Sequence, residues 1–178
     1  MKQSGEYKIK ASRQTVWEGL NDPATLAECL IGCQRMERIA DNKFATTIQA
    51  KVGPVSAKFE GEIQLEDIVP GKSYTLVGNV KGGAAGFGKG KAAVQLADDG
   101  DMTILTYQVD ATIGGKLAQI GSRLVDVAAR KMADSFFLKF GKTVGGVEVE
   151  DQPESNSRFI WVVGLGLLAL GMVYWGLS

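Results

Sequence analysis

The sequence contains no histidine among its 178 residues. Histidine is the commonest metal ligand and the commonest general base, so its absence removes the usual basis for a metal centre or an acid–base mechanism. We therefore predict no metal site and no catalytic residues. The only cysteines, Cys29 and Cys33, have a spacing that fits neither zinc sites nor thioredoxin-type motifs. We interpret them as two buried thiols on one helix face, with a disulfide or redox pair as the alternative.

The charge is balanced, with 20 basic and 20 acidic side chains. Proteins that bind nucleic acid carry a strong basic surplus, or basic and aromatic clusters that contact phosphates and bases. The sequence has neither feature, and we expect no nucleic-acid partner.

A glycine-rich stretch from Gly78 to Val94, GNVKGGAAGFGKGKAAV, nearly matches a phosphate-binding P-loop. Gly83, Gly88 and Lys89 have the P-loop spacing, but Gly90 stands where a serine or threonine must hold Mg²⁺. The residues that follow alternate between polar and apolar and reach an Asp-Asp-Gly-Asp turn, which predicts a strand and hairpin rather than a helix. We therefore interpret the stretch as a hairpin and not as a nucleotide site.

The C-terminal stretch from Phe159 to Leu177 contains no charged side chain. As a helix it would be roughly 28 Å long, close to the thickness of a bilayer core. Trp161 and Trp175 lie near its two ends, where interfacial aromatic residues are found. We predict a single transmembrane anchor over residues 158–178. Arg158 on its N-terminal flank, without a signal peptide at the start of the chain, favours a cytoplasmic-membrane protein whose globular part is in the cytoplasm.

Residues 144–157, VGGVEVEDQPESNS, separate the predicted anchor from the rest of the chain. Glycine, proline, serine and like charges are typical of a solvated tether. We therefore predict a flexible acidic linker here and a single ligand-binding domain over residues 1–143.

Within this domain the sequence predicts two short helices followed by a series of strands. Residues 6–10 alternate like a first strand, and Ser12 has the position of a helix N-cap. The first helix ends near Asp22, and Pro23 starts a second one. From residue 34 to residue 113 polar and apolar residues alternate without a helical pattern, which predicts an antiparallel meander with one apolar face.

Helical periodicity returns from residue 116 to residue 142. Lys116, Arg123 and Arg130 form a basic stripe that we interpret as a solvated face paired with Asp126, with a docking site as the alternative. The apolar face of the sheet needs a cover, and this helix is the only large amphipathic element available. We therefore predict an α+β fold, in which a curved antiparallel sheet is covered on its apolar face by one long C-terminal helix. The apolar stripe of that helix comprises Leu117, Ile120, Leu124, Val127, Met132, Phe136 and Phe140.

Small residues, such as Gly61 and Gly90, recur on the apolar face of the predicted sheet, where a filled core would have larger ones. This pattern favours a hollow that suits an elongated apolar ligand, and a filled core of small residues is the alternative. The predicted ligand-binding residues are Ile48, Ala50, Val52, Ala57, Phe59, Leu76, Gly78, Phe87, Tyr107, Val109, Leu117, Ile120, Gly121 and Leu124.

Four segments occur in an order that is found in a known family. They are VWEGLNDPATLAECLIGCQRMERI, GPVSAKFEGEIQLEDI, SYTLVGNVKGGAAGFGKGKAAVQL and VDATIGGKLAQIGSRLVDVAARKMADSFF. With them, residues 1–143 resemble the carbon monoxide dehydrogenase G-subunit (CoxG) family, which belongs to the SRPBCC, or START-like, superfamily of helix-grip folds. Ile31 stands where that family usually has proline, a departure that affects the rigidity of a loop.

The resemblance implies an accessory protein rather than an enzyme. CoxG proteins accompany the cytoplasmic molybdenum carbon monoxide dehydrogenase and are thought to bring that enzyme to the membrane. Members are also thought to bind a respiratory quinone in the grip cavity. We therefore expect the cytoplasmic membrane and this dehydrogenase, or a related molybdenum hydroxylase, as partners. We expect the ligand to be a quinone (menaquinone or ubiquinone) or a lipid, bound without a covalent bond.

The glycine-rich hairpin gains a second interpretation from this resemblance. We interpret residues 82–90 as a mobile hairpin at the cavity mouth, with a stiff structural hairpin as the alternative. Phe87 lies between lysines, a pairing that suits contact with anionic headgroups. The predicted membrane contacts are Lys81, Phe87, Lys89, Lys91, Arg158, Trp161 and Trp175.

Two other functions stay open. A recruitment scaffold would anchor the dehydrogenase without holding a ligand. An enzyme would need a placed acid or base, for which the strands offer Asp110 and Tyr107, neither of them with a histidine partner.

Overall fold

The computed structural model describes residues 1–145 and 149–151, and its main feature is one antiparallel sheet. The strands are β1 (Lys2–Ile9), β2 (Cys33–Ala40), β3 (Lys43–Val52), β4 (Val55–Val69), β5 (Ser73–Lys81), β6 (Phe87–Asp99), β7 (Met102–Gly114) and the short β8 (Val149–Asp151). The helices are α1 (Arg13–Asn21), α2 (Pro23–Cys29), α3 (Lys116–Gln119) and α4 (Ser122–Gly145). The strand order β2-β3-β4-β5-β6-β7-β1-β8 confirms the predicted meander, and β1 adds to its far edge beside β7.

The two short helices begin where the sequence predicts. Ser12 caps α1, because its Oγ accepts a hydrogen bond from the backbone N–H of Thr15 at 3.2 Å. Asp22 caps α2 in the same way, accepting from the N–H of Thr25 at 2.8 Å, and Pro23 follows where a missing N–H costs nothing. As a result, α1 packs on β6 and β7, and α2 packs on β2 and α4.

The inner face of the sheet is apolar, as the alternation predicts. On β6, Val94 and Leu96 are buried, whereas Ala93 and Gln95 are exposed on the outer face. Helix α4 covers the inner face and buries Phe140 completely. The largest fully buried side chains of the main core are Phe44, Phe140, Ile9, Leu105, Val16 and Cys29.

The C-terminal helix is interrupted, which we did not predict from the sequence. Helix α3 ends before Gly121, whose φ of +95° lies in a region that side chains rarely adopt, and the chain bends there before α4. The bend changes the helical phase, so Leu124 and Val127 are 49% and 60% exposed, while Val125 is buried. The prediction of one continuous apolar stripe is therefore wrong for the first turns of α4.

Two side-chain pairings proposed from the sequence do not occur within residues 1–145 and 149–151. Arg123 and Arg130 are exposed, and neither forms an ion pair with Asp126 in this part of the chain. Cys29 ends α2 and Cys33 begins β2, so they do not share a helix face. Both are free thiols, and burial raises the pKa of Cys29.

Part of the segment predicted as a linker has regular structure. Helix α4 continues through Val144 to Gly145, and β8 pairs with β1 so that residue 149 lies opposite Ile9. The predicted anchor over 158–178, with Arg158, Trp161 and Trp175, lies outside the described residues. No helix in the described ranges has the length and apolar character needed to cross a membrane.

Candidate ligand cavity

An apolar cavity of about 300 Å³ lies between the sheet and the helices that cover it. Among the described side chains that line it, only those of Tyr74 and Tyr107 carry a hydroxyl group. The cavity is therefore suited to a ligand whose surface is almost entirely hydrocarbon. Its lining residues are Leu20, Leu26, Leu30, Met36, Phe44, Ile63, Leu65, Tyr74, Leu76, Ala92, Val94, Leu105, Tyr107, Val109, Ala133, Phe136 and Phe137.

Stacked aromatic rings separate α4 from the sheet beside this cavity. The ring of Phe137 stacks on Tyr7 with centroids 4.3 Å apart, and its centroid lies 5.8 Å from that of Tyr107. Phe136 lines the same space one position earlier on α4. Rings of this size hold the helix axis away from the strands, and the small side chain of Ala133 does not fill the gap. The hollow therefore results from large residues that act as spacers.

The other end of the grip is filled by a second core cluster. A Cβ on Gly61 would lie 2.6 Å from Val80 Cγ1, and one on Gly90 would lie 2.8 Å from Ala111 Cα. Cβ atoms do not approach other atoms so closely, so these glycines allow neighbouring groups to pack tightly. Our inference that small residues mark the hollow is therefore wrong for Gly61 and Gly90. The cluster consists of Phe59, Ala85 and Leu117, with Ala50, Val52, Val55, Ala57, Ile113 and Ile120 packed around them.

The predicted ligand-binding residues divide between the two ends of the grip. Those that line the cavity are Leu76, Tyr107 and Val109. Those that belong to the second cluster instead are Ala50, Val52, Ala57, Phe59, Leu117 and Ile120. Ile48 and Gly78 are half-buried outside the lining, and Gly121 and Leu124 are exposed.

Phe87, predicted both for the cavity and for membrane contact, lies on the outer face of the sheet. Its ring packs over Gly114 and is 44% exposed, so it does not line the cavity. Lys81 is directly opposite Phe87 on β5, and Lys89 and Lys91 follow at alternate positions of β6, all of them exposed. The structure thus brings one aromatic ring and three lysines together on a single outer surface.

The turn between β5 and β6 covers the second cluster rather than the cavity. Residues Gly83–Ala85 form one 3₁₀ turn, and Ala85 is buried in that cluster. No cavity-lining residue comes from the predicted mouth hairpin, residues 82–90. In this structure the hairpin therefore closes the filled end of the grip.

Behind the cavity wall lies a buried hydrogen-bond network. The hydroxyl of Tyr7 donates to Asp134 Oδ1 over 2.7 Å, and the ring of Tyr7 is 6.1 Å from that of Tyr107. Burial raises the pKa of Tyr7, and hydrogen bonding to Asp134 raises it further. Tyr7 is therefore neutral at physiological pH and positions the aromatic spacers.

Asp110, the carboxylate considered for an acid or base, does not reach the cavity. Its side chain is 71% exposed, and its Oδ2 lies 3.9 Å from the Nζ of Lys2. Within the described residues, no three of the His, Cys, Asp and Glu side chains lie close enough together to hold a metal ion. The described cavity therefore offers hydrocarbon contact and two phenols.

Most of the cavity-lining residues were not predicted from the sequence. Leu20, Leu26 and Leu30 are apolar positions of the two short helices, and their spacing could have indicated a second wall. Phe136 belongs to the predicted stripe, and Phe137 is the next residue, which a narrow stripe would exclude. Both line the cavity because a wide apolar face of α4 meets the sheet. The large residues carried the signal for the hollow, whereas our inference of a hollow relied on the small ones.

The sequence matches the family described as the carbon monoxide dehydrogenase G-subunit (CoxG) over residues 5–145. The chain belongs to this family. A search of the curated proteins found no match. Among solved structures, a conserved protein from Geobacillus kaustophilus is 32% identical to this CoxG chain, with a TM-score of 0.77; the match covers 81% of this chain and 95% of that one.

More distant structures share the fold of this CoxG chain. A Thermus thermophilus protein is 14% identical with a TM-score of 0.62, and the match covers 81% of this chain and 97% of that one. The Zhui aromatase/cyclase from Streptomyces sp. R1128 is 9% identical with a TM-score of 0.58, and the match covers 81% of this chain and 93% of that one. At these identities the likeness concerns the fold alone, an SRPBCC-like sheet that grips a C-terminal helix.

Proposed function

We propose that this CoxG-family protein is a non-catalytic, membrane-anchored carrier of a respiratory quinone in the molybdenum carbon monoxide dehydrogenase system. In this proposal the cavity binds menaquinone or ubiquinone, and residues 158–178 anchor the chain in the cytoplasmic membrane with the domain on the cytoplasmic side. The domain would also bind the dehydrogenase, or a related molybdenum hydroxylase, and thereby link it to the electron-transport chain.

The observation that carries this proposal is the apolar cavity of about 300 Å³ inside a domain of the CoxG family. A ligand that leaves a membrane for a protein must exchange lipid contacts for equally apolar ones, because each exposed CH₂ group costs about 0.8 kcal/mol. The carbon-lined walls supply such contacts. A recruitment scaffold without a ligand, the alternative function, has no use for this space.

The size of the cavity limits how a quinone would be bound. An engineered apolar cavity of about 150 Å³ holds one benzene molecule. The cavity here, at about 300 Å³, has room for a bicyclic quinone ring or for a few isoprene units. The remainder of a long isoprenoid tail would then lie outside the cavity. The proposal therefore concerns partial enclosure of the ligand.

Two neighbouring residues of β6 provide a matched test of ligand binding. Ala92 lines the cavity, whereas Ala93 is exposed on the outer face. Ala92→Phe adds an aromatic ring to the cavity, and Ala93→Phe adds the same ring to the outer surface. Phenylalanine is well tolerated in strands, so the two variants differ mainly in the space that they fill.

The full-length wild type and both variants should be extracted from native membranes, and co-purified quinone quantified by mass spectrometry. We expect the wild type and Ala93→Phe to retain quinone, and Ala92→Phe to lose most of it. Equal quinone content in all three proteins would place the ligand outside the cavity. Absence of quinone from the wild type would leave only the recruitment function.

The dehydrogenase link has its own test. Vesicles that carry the full-length protein should retain the molybdenum dehydrogenase from the same cells on flotation, and empty vesicles should not. The Ala92→Phe variant should retain the enzyme as well as wild type does, since anchoring and ligand binding use different parts of the chain. Failure of the wild-type vesicles to retain the enzyme would contradict the proposed partnership.

A further inference from the structure

The hydroxyl group of Tyr74 is a polar group in an otherwise carbon-lined part of the cavity wall. Tyr74 is 6% exposed, and its ring makes an edge contact with Trp17 at a centroid distance of 5.6 Å. Within residues 1–145 and 149–151, no side chain or backbone group forms a hydrogen bond with this hydroxyl. A buried hydroxyl without a partner loses the hydrogen bonds that it made with water, so the position calls for an explanation.

The Tyr74 hydroxyl borders open space inside the protein. In the described part of the chain, Gln3 Nε2 is the one side-chain polar atom that is both unpaired and completely sealed off. The hydroxyl of Tyr74 is unpaired but not sealed off, and its side chain lines the cavity. Because the Tyr74 side chain lines the cavity, we infer that the space at its hydroxyl belongs to the cavity.

Water is a poor partner for this hydroxyl. A buried water molecule needs two to four polar neighbours, and an apolar cavity otherwise stays dry. Among the described lining residues, the one other hydroxyl is that of Tyr107, which interacts with Tyr7 behind the wall. Val94 lies between Tyr74 and Tyr107 in the same row of the sheet, so the two phenols stand two strands apart, about 10 Å.

The chemistry of a phenol restricts the ligand group that can satisfy it. Burial raises the pKa of Tyr74, so the group is neutral and presents an O–H donor. A neutral donor in a low-dielectric site pairs best with an uncharged acceptor, because a charged ligand group would lose its hydration without gaining a counter-ion. A carbonyl oxygen on a mainly hydrocarbon molecule fits this requirement.

We propose that Tyr74 donates a hydrogen bond to a carbonyl oxygen of the cavity ligand and thereby selects ring ketones over hydrocarbons of the same shape. This inference rests on the proposed carrier function. It adds the position at which the polar end of the ligand is held, at the α1 side of the cavity, where Trp17 fixes the Tyr74 ring.

Two probes and two variants test the role of Tyr74. The probes are 2-methyl-1,4-naphthoquinone and 2-methylnaphthalene, which share a carbon skeleton and differ in their carbonyl groups. Tyr74→Phe removes the unpaired hydroxyl. Thr103→Val removes a fully buried hydroxyl that is already bonded to the Ala11 carbonyl and does not line the cavity, and so serves as the control. Affinities for the full-length protein, freed of ligand by detergent exchange, are measured by titration calorimetry.

We expect Tyr74→Phe to weaken binding of the naphthoquinone about fivefold and to leave that of the hydrocarbon unchanged, since one neutral hydrogen bond is lost. The ratio of the two affinities should be unchanged in Thr103→Val. The infrared carbonyl band of the bound naphthoquinone should lie at lower frequency in the wild type than in Tyr74→Phe.

Three results would overturn the inference. An unchanged naphthoquinone affinity in Tyr74→Phe would show that the hydroxyl makes no contact with the ligand. Equal weakening for both probes would indicate a change of shape rather than a lost hydrogen bond. If neither probe binds the wild type, the carrier function itself fails, and the role of Tyr74 fails with it.

Discussion

Gly61 and Gly78 offer a direct test of the conclusion that glycine closes one end of the grip. Both lie inside the sheet on adjacent strands, and both have negative φ angles, so alanine suits either backbone. A Cβ on Gly61 would lie 2.6 Å from Val80 Cγ1, whereas a Cβ on Gly78 would lie 3.6 Å from Leu76 Cδ2, an ordinary contact.

The two substitutions should therefore change stability in opposite directions. Gly61→Ala forces its neighbours apart by nearly 1 Å, and overpacking of this kind costs about 1–3 kcal/mol. Alanine also leaves the unfolded chain fewer conformations than glycine does, which raises the free energy of unfolding by about 0.4–1 kcal/mol at either site. The net cost in Gly61→Ala is then about 0.6–2 kcal/mol, so the midpoint of thermal unfolding should fall by about 1–8 °C in Gly61→Ala and rise by about 1–4 °C in Gly78→Ala.

Circular dichroism of the full-length proteins during heating measures both midpoints. Neither glycine lines the cavity, so ligand content should be the same in both variants. If Gly61→Ala unfolds at or above the temperature of Gly78→Ala, the close contact with Val80 does not exist. The explanation of the filled end would then be wrong.

Three further outcomes are expected. Burial raises the pKa values of Tyr7 and Tyr74 above the ordinary value of about 10. The stability that this contributes is retained below about pH 10. At higher pH the unfolded chain loses these protons first, so the free energy of unfolding should fall by about 1.4 kcal/mol per pH unit for each tyrosine. Denaturant titrations across this range measure the slope, and a flat profile would contradict the burial. Thr103→Val should cost about 1–3 kcal/mol in the same assay, since the fully buried Thr103 hydroxyl donates to the Ala11 carbonyl over 2.7 Å; an unchanged stability would show that water replaces it. Phe87→Ser should slow quinone uptake from anionic liposomes, because it removes the exposed ring from the lysine-bearing outer surface that we expect to contact headgroups; unchanged uptake would exclude a membrane role for this surface.

The sequence predicted the sheet and the first two helices because each depends on local patterns. The alternation on β4 assigned its two faces, since one face meets apolar side chains and the other meets water. Ser12 and Asp22 fixed the helix starts through hydrogen bonds to residues three positions later. Gly121 was less informative, because glycine in a helical pattern is a weak signal and its positive φ depends on the packing of both neighbouring segments.

The position of the hollow could not be predicted because it depends on partners that are distant in sequence. Whether Gly61 leaves a void is decided by Val80, a neighbour on the adjacent strand. Whether Phe137 fills space or creates it is decided by Tyr7, which stacks on it from β1. A side chain's size indicates how much volume it fills but not which elements it holds apart.

The energetics of the hollow connect the fold with the proposed function. Apolar cavity volume costs about 24 cal/mol per Å³ in proteins whose cores have been truncated, so the cavity here would cost at most about 7 kcal/mol when empty. That is comparable to the whole stability of a typical domain, about 5–15 kcal/mol. The unpaired Tyr74 hydroxyl adds to this cost, whereas a bound molecule with an apolar body and one carbonyl oxygen would offset both. The features that weaken the empty protein are therefore those that a ligand would stabilise.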